Sequence, residues 1–341
     1  MSTILGIETS CDETAAAVVA DATYVRGQAV ATQFDLHQRF GGVVPEVASR
    51  AHVQQLDLVV DEAMKRANCT PNDLDAIAVT NRPGLLGALL IGLTGAKALS
   101  WAWGKPLVTV DHIRAHAFSP AIGATPPPWP AVALVVSGGH TSLFRVDDPL
   151  NIHELGATID DAAGEAFDKV STMLGLGFPG GPRVEQAARA GDPCAVAFPR
   201  SMLGPDSLDF SFSGIKTAVL YCIHGPGRTS GGLEAMSSQR VADIAAGFQQ
   251  AVVEVLVKKT LRAVECTGLR TVVLGGGVAA NAQLRDSLAQ ACSRRSLRFV
   301  AAARQYCTDN GAMIAALGDH LLRAGEVADL SVDALATGRS R

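Results

Sequence analysis

Each half of this chain opens on a strand, a polar turn and a second strand, and that repeated hairpin most constrains the fold. Near the start, ILGIE and AAAVVA flank TSCDET; further on, Ala131–Val136 and Thr141–Val146 flank Ser137-Gly138-Gly139-His140. Hairpin strands pair antiparallel, so neither half is a purely parallel doubly wound sheet. The first strand is expected at Thr3–Glu8, a helix from Pro45, a favoured first helical residue, to Asn68, and a strand at Ala76–Thr80. A helix at Leu85–Trp103 follows the Pro83-Gly84 break, and a strand at Leu107–Val110 leads into His112. Later, TVVLGGGVAAN reads as strand, glycine turn and helix, LRFVAAA as a strand, and Ala312–Ala324 as a closing amphipathic helix. This alternation predicts an α/β protein with mixed sheets covered by helices.

At 341 residues the chain is too long for one ordinary core and fits two lobes. The run TPPPWP (Thr125–Pro130) marks the boundary, giving lobes of 1–125 and 126–341. Within the second, about 189–232 is rich in Gly, Pro and Ser, contains LDFSFSG (Leu208–Gly214), and reads as an insertion; the helix over 310–325 is expected to return to the first lobe. With 48% hydrophobic and 18% charged residues, no long disordered tail is expected. The apolar stretch Leu85–Trp103 is interrupted by Gly87, Gly92, Gly95 and Lys97, which favours a buried helix over a membrane span. A strand starting at Thr3 leaves no room for a leader peptide, and seven cysteines without a CxxC pair fit neither a disulfide framework nor a cysteine-ligated zinc. These features point to the cytoplasm and to no membrane. The net charge of −4 excludes a protein that grips nucleic acid by bulk charge; any such grip is local or shared with a partner.

His112 and His116 in DHIRAH stand four residues apart, so both imidazoles project from one face of a helix and can reach one divalent cation. Two nitrogens and one carboxylate leave open positions, the layout of a metal that works on a substrate, and Asp309 in CTDNGAM is the candidate carboxylate. Asp309 also directly precedes a helix and suits an N-cap. Three glycine turns follow strands or precede helices: Ser137–His140, Gly275–Gly277 and Phe178–Pro182. Each is ordinary alone; together they favour a nucleotide, whose phosphate meets backbone N–H groups there. In IDDAAGEAFDKV, Asp161, Glu165 and Asp168 fall on one helical face, either as a solvated stripe or as partners for ribose hydroxyls. Asp12 and Glu13 sit at the tip of the first hairpin.

In order along the chain, GIETSCDET, GGVVPEVASR, DHIRAH, LVVSGGHTSL, IDDAAGEAFDKV, GFPGGP, LDFSFSGIKT, GGGVAAN and CTDNGAMIA closely resemble bacterial tRNA N6-adenosine threonylcarbamoyltransferases, the TsaD family, once labelled glycoproteases. The resemblance runs from about residue 3 to 325. It implies an ASKHA fold (actin, sugar-kinase and heat-shock ATPase) with two lobes around a nucleotide cleft. It also implies transfer of a threonylcarbamoyl group from threonylcarbamoyl-adenylate to N6 of adenosine 37, in the anticodon loop of tRNAs reading codons that start with A. His112, His116 and Asp309 match the family's metal ligands; the metal is one divalent ion per subunit, Fe2+ first and Zn2+ second. Val135, Val136, Ser137, Gly138 and Gly139 match its substrate-binding stretch, and Asp168, Gly181 and Asn281 match further adenylate contacts. Glu185 stands where many relatives carry aspartate, and Arg82 where the family commonly has glycine. Asp12 and Glu13 are the candidates for taking the proton of the adenine amine. Implied partners are a TsaB-like paralogue and a TsaE-like ATPase.

Three rival readings have discriminating residues. A zincin protease places glutamate beside the first histidine, where this chain has Ile113 and Arg114. A magnesium-dependent kinase of the same fold wants oxygen ligands, not two imidazoles. A non-catalytic scaffold would lack the metal trio, which is complete here.

Overall fold

The structure, a computed structural model, describes residues 2–125, 127–204 and 206–337. Pro126 of the proline-rich run, Pro205 of the expected insertion and the last four residues of the second expected lobe lie outside the described residues. The chain divides into two compact units: Met1–Pro128 with Asp148–Ile152 and Ala302–Arg341, and Trp129–Asp147 with His153–Ala301.

In the first unit, strands β1 (Thr3–Glu8), β2 (Glu13–Ala20), β3 (Tyr24–Thr32), β4 (Ala76–Arg82) and β5 (Leu107–Asp111) form a sheet in the order β3-β2-β1-β4-β5. β1 pairs antiparallel with β2, from Thr3 opposite Ala20 to Glu8 opposite Ala15, and parallel with β4. Helices α1 (Phe34–Gln38), α2 (Pro45–Arg66), α3 (Leu86–Trp103) and α4 (His112–Phe118) complete this stretch. Leu5, Ile7, Val18, Ile77 and Val79 of the sheet pack with Val59 and Ala63 of α2 and with Leu89 and Leu93 of α3. α3 is long and apolar enough to cross a membrane by composition alone. It buries one face of Ala88, Leu89, Gly92, Leu93 and Ala96 in the core, while Leu86, Leu90 and Trp101 on it stay exposed.

The second unit holds β6 (Ala131–Val136), β7 (Thr141–Val146), β8 (Ile152–Ala157), β9 (Thr271–Gly275) and β10 (Arg298–Ala301), ordered β8-β7-β6-β9-β10. Again the first hairpin is antiparallel, and the first strand pairs parallel with the fourth. The two sheets therefore share one topology, which gives the repeated hairpin its meaning. The helices are α5 (Ala163–Met173), α6 (Gly180–Ala188), α7 (Ser213–His224), the 30-residue α8 (Ser238–Thr267) and α9 (Ala282–Ser293). α7 lies inside the segment read as an insertion.

The closing helix α10 (Gly311–Arg323) packs on β1, β2 and β4 of the first unit. Glycine makes that approach possible. A methyl group on Gly6 would collide with the Gly311 carbonyl and the Ala315 amide, and one on Gly311 would meet the Ala16 and Ala17 backbone. Such contact leaves no room for a larger residue. It also delivers Asp309, two residues ahead of the helix, to the end of the sheet where α4 begins.

Candidate active site

α4 starts at the C-terminal end of β5, where Asp111 caps it by accepting from the Ile113 and Arg114 amides at 3.0 and 3.1 Å. Arg82 reaches the same carboxylate from β4 at 3.3 Å, so the residue that departs from the family pattern braces the helix carrying both histidines. His112 and His116 follow on one face, buried, their rings 4.6 Å apart and edge to face. Asp309 Oδ1 lies 3.0 Å from His116 Nε2 and 3.5 Å from His112 Nε2. One ligand atom from each of the three falls within 4.8 Å of the others, a group that could hold a metal ion. Asp309 is not the N-cap considered from the sequence. Asn310 takes that role by accepting from the Met313 amide at 2.9 Å.

Glu8, at the end of β1, is the residue that sequence reasoning missed. Fully buried, it accepts from Thr80 Oγ1 at 2.6 Å and bonds His112 Nδ1 at 2.9 Å, with Ser10 Oγ 3.1 Å from the same nitrogen. A carboxylate only accepts, so Nδ1 carries a proton, and Nε2 is the nitrogen that faces Asp309. Burial alone would raise the Glu8 carboxyl, but the His112 charge and hydrogen bond, helped by Thr80, hold it below the usual carboxylate range. Burial likewise opposes charge on His112, yet Asp309 and Glu8 push it up to about 9. Burial and His112 lower His116, which is therefore neutral, and its buried Nδ1 has no hydrogen-bond partner among the described residues. One neutral imidazole, one imidazole oriented by a carboxylate and one acid form a donor set that fits a divalent transition metal. Glu8→Gln should weaken Zn2+ binding about tenfold at neutral pH, the low end of such effects because proton competition at His112 falls with it. A competing chelator measures this, and unchanged affinity would remove Glu8 from the role.

Asp12 lies in the first turn, but Glu13 does not sit at an exposed tip. It is the first residue of β2 and buried, because the strand extends two residues past the apolar run. Burial, then the charges of Asp12 and Asp309, push it up to about 8 against the effect of its Thr32 bond. Between the usual glutamate range and pH 8, the folded chain keeps a proton that the unfolded chain has lost, so stability falls as pH rises through that window. Metal-free Glu13→Gln should thus match the parent near pH 4 and exceed it by up to about 5 kcal/mol above pH 8. Parallel melting-temperature profiles across that range would contradict the assignment.

In the second unit, Val135 and Val136 end β6, buried. The following turn is closed by the Ser137 amide donating to His140 O at 2.8 Å and the His140 amide donating to Ser137 Oγ at 3.1 Å. Gly138 and Gly139 have no left-handed backbone, and a methyl group on either would meet nothing within 4 Å. Among the described residues neither conformation nor packing demands glycine there, and the turn is open to close approach by another molecule. Gly181 and Gly277 are equally open, whereas Gly276 (φ 92°) presses on Val136 and Gly180 on Asp168. Asp168 Oδ1 accepts from the Gly180 amide at 2.6 Å, and burial raises its carboxyl overall. Asn281 caps α9, and Glu185 of α6 reaches both its Nδ2 at 3.4 Å and the Ala282 amide at 3.3 Å. The acidic stripe does not form as one face. Lys169 takes Asp161 at 2.8 Å and Glu165 at 2.7 Å, Lys216 also holds Asp161, and Asp168 alone turns to the Gly180 turn.

The model of the family TsaD, tRNA N6-adenosine threonylcarbamoyltransferase, matches residues 24–316. The chain belongs to the TsaD family. It is 50% identical over 333 residues to the tRNA N6-adenosine threonylcarbamoyltransferase of Symbiobacterium thermophilum, covering 97% of this chain and 95% of that one. With its counterpart from Sorangium cellulosum it shares 52% identity, covering 95% and 92% of the two chains. Among solved structures, full-length HypF matches with a TM-score of 0.61 at 14% identity, over 94% of this chain and 46% of HypF. The ROK hexokinase of Thermus thermophilus matches with a TM-score of 0.52 at 15% identity, over 95% of this chain and all of the hexokinase. These likenesses show the ASKHA fold. As a TsaD-family member the protein is a transferase that acts in tRNA modification.

Proposed function

We propose that this protein transfers the threonylcarbamoyl group of threonylcarbamoyl-adenylate to N6 of adenosine 37 in tRNAs that read codons starting with A. The observation that carries this reading beyond the family is the joint presence of the His112–His116–Asp309 group and of Gly138, Gly139, Gly181 and Gly277, where a methyl group would touch no described residue. The donor is a mixed anhydride with AMP as leaving group, so no protein nucleophile is needed. The carbamoyl carbon forms a bond to N6 as its bond to the phosphate oxygen breaks, and N6 loses a proton.

The chain's residues supply orientation and proton handling. Backbone N–H groups around Ser137–Gly139 would receive the phosphate, and Asp168, Gly181, Glu185 and Asn281 the adenosine. A divalent ion on His112, His116 and Asp309, Fe2+ before Zn2+, when bound supplies Lewis acidity toward carbonyl or phosphate oxygens. Asp12 and Glu13 are the candidates to accept the amine proton; Glu13, pushed up to about 8, accepts only in its ionised form, so a rate that depends on it would rise with pH up to about 8.

The net charge of −4 supports a grip on the anticodon loop shared with partners, which we take to be a TsaB-like paralogue and a TsaE-like ATPase. An apolar groove of about 820 Å³ between α2 and α3, lined by Val53, Leu56, Val60, Met64, Leu99 and Trp103, supports docking of such a subunit. We place the work in the cytoplasm. The test combines the protein with threonine, bicarbonate, ATP, unmodified tRNA and the other enzymes of the reaction sequence, followed by mass spectrometry of the nucleosides. Threonylcarbamoyl-adenosine that depends on this chain supports the reading; its absence from the complete mixture overturns it.

A further inference from the structure

A line of carboxamides runs through the second unit from the Asn281 turn to the segment read as an insertion. Asn281 Oδ1 accepts from the Leu284 amide at 2.9 Å, so its Nδ2 hydrogens point elsewhere: to Gln249 Oε1 at 2.8 Å and toward Glu185 Oε2 at 3.4 Å. Gln249 Nε2 then donates to Gln283 Oε1 at 2.6 Å, Gln283 Nε2 to Gln250 Oε1, and Gln250 Nε2 to Glu254 Oε1 at 2.8 Å. Glu254 is held by Arg200, Nε at 3.0 Å and Nη2 at 3.3 Å.

Each glutamine could turn its amide end for end, but both ends of the line are fixed. The Leu284 N–H occupies the oxygen of Asn281, and a carboxylate at the far end can only accept. All four bonds must therefore run in one direction. Gln249 is 5% exposed and Asn281 is buried with it, so a break there leaves the Asn281 amide without its inner partner.

We propose that Gln249 is a positioning residue for the donor's adenosine. It holds Asn281 with its amide hydrogens toward Glu185, keeping that carboxylate against the α9 N-terminus with lone pairs left for ribose hydroxyls. The same line ties the Asn281 turn to Arg200. The inference rests on the reading of Asn281 and Glu185 as adenylate contacts, which no catalytic role of Gln249 is needed to satisfy.

The test is calorimetric binding of AMP alone, together with steady-state transfer from threonylcarbamoyl-adenylate. Gln249→Leu should weaken AMP binding about tenfold and raise KM for the donor by a similar factor, with kcat within about twofold of the parent. Gln249→Glu still offers Asn281 an oxygen but cannot donate to Gln283, and turning the amides beyond it would set an oxygen against Glu254, so it should lose about threefold, less than Gln249→Leu. Should Gln249→Leu fail to fold, Glu254→Leu at the half-buried far end takes its place, with an expected loss of about threefold in AMP affinity. Parental AMP binding by the folded leucine variant, a fall in kcat without change in KM, or equal damage from Gln249→Glu would overturn the positioning role. A parent chain that turns over but does not bind AMP would instead overturn the adenylate reading of this turn, and the inference with it.

Discussion

His112→Ala should take the protein from one bound divalent ion per chain to none, and lower threonylcarbamoyl transfer by about 10³-fold or more. The size follows from the geometry. His112 supplies one of three donors, and it is the one whose orientation a fully buried carboxylate fixes at 2.9 Å. Its loss leaves Glu8 without its cation and Asp309 with a single imidazole partner. Asp309→Ala should act alike, because its Oδ1 lies within 3.5 Å of both histidines. Metal content by mass spectrometry, with transfer measured on the same samples, separates this from unfolding: the variants should keep a cooperative melt in the absence of metal. A His112→Ala chain that retained stoichiometric metal and transfer would remove the trio from function.

Gly6→Val is expected to be the most damaging single change away from the metal trio. The valine side chain would enter space held by the backbone of α10 at Gly311 and Ala315, and backbone cannot rotate aside as a side chain can. The cost is about 3–5 kcal/mol, a large share of a domain's typical 5–15 kcal/mol. Because α10 carries Asp309 at its entrance, metal affinity should fall along with the denaturant midpoint. Gly6→Ala should do the same to a smaller degree. A valine variant with the parental midpoint would show that the strand–helix approach is looser than the structure has it.

The hairpins, the helix from Pro45 and the strand–helix step into His112 were legible because each carries a local signal: alternation of apolar runs and turns, proline at a helix start, histidines one turn apart. The grouping of His112, His116 and Asp309 followed from residue type and spacing, and the family resemblance pointed to the same three residues. What stayed hidden depends on distant contacts. Glu8 looks like the polar end of an apolar strand until Thr80 and His112 are placed beside it. β3 (YVRGQAVAT) mixes polar and apolar residues because it is an edge strand, and so it lacks a buried strand's continuous run. The acidic stripe on α5 read as one face because the sequence gives no sign that Lys169 and Lys216 neutralise Asp161. Asn310 rather than Asp309 caps α10, a one-residue difference that frees the aspartate for the histidines.

The proposed chemistry depends on His112, His116 and Asp309 sharing one ion. Anomalous diffraction from crystals of the metal-loaded protein, collected at the iron and zinc edges, addresses this directly. The expected result is a single strong peak about 2.0–2.2 Å from an imidazole nitrogen of each histidine and from an Asp309 oxygen. A peak bound elsewhere, or no peak in protein that carries out transfer, would contradict it.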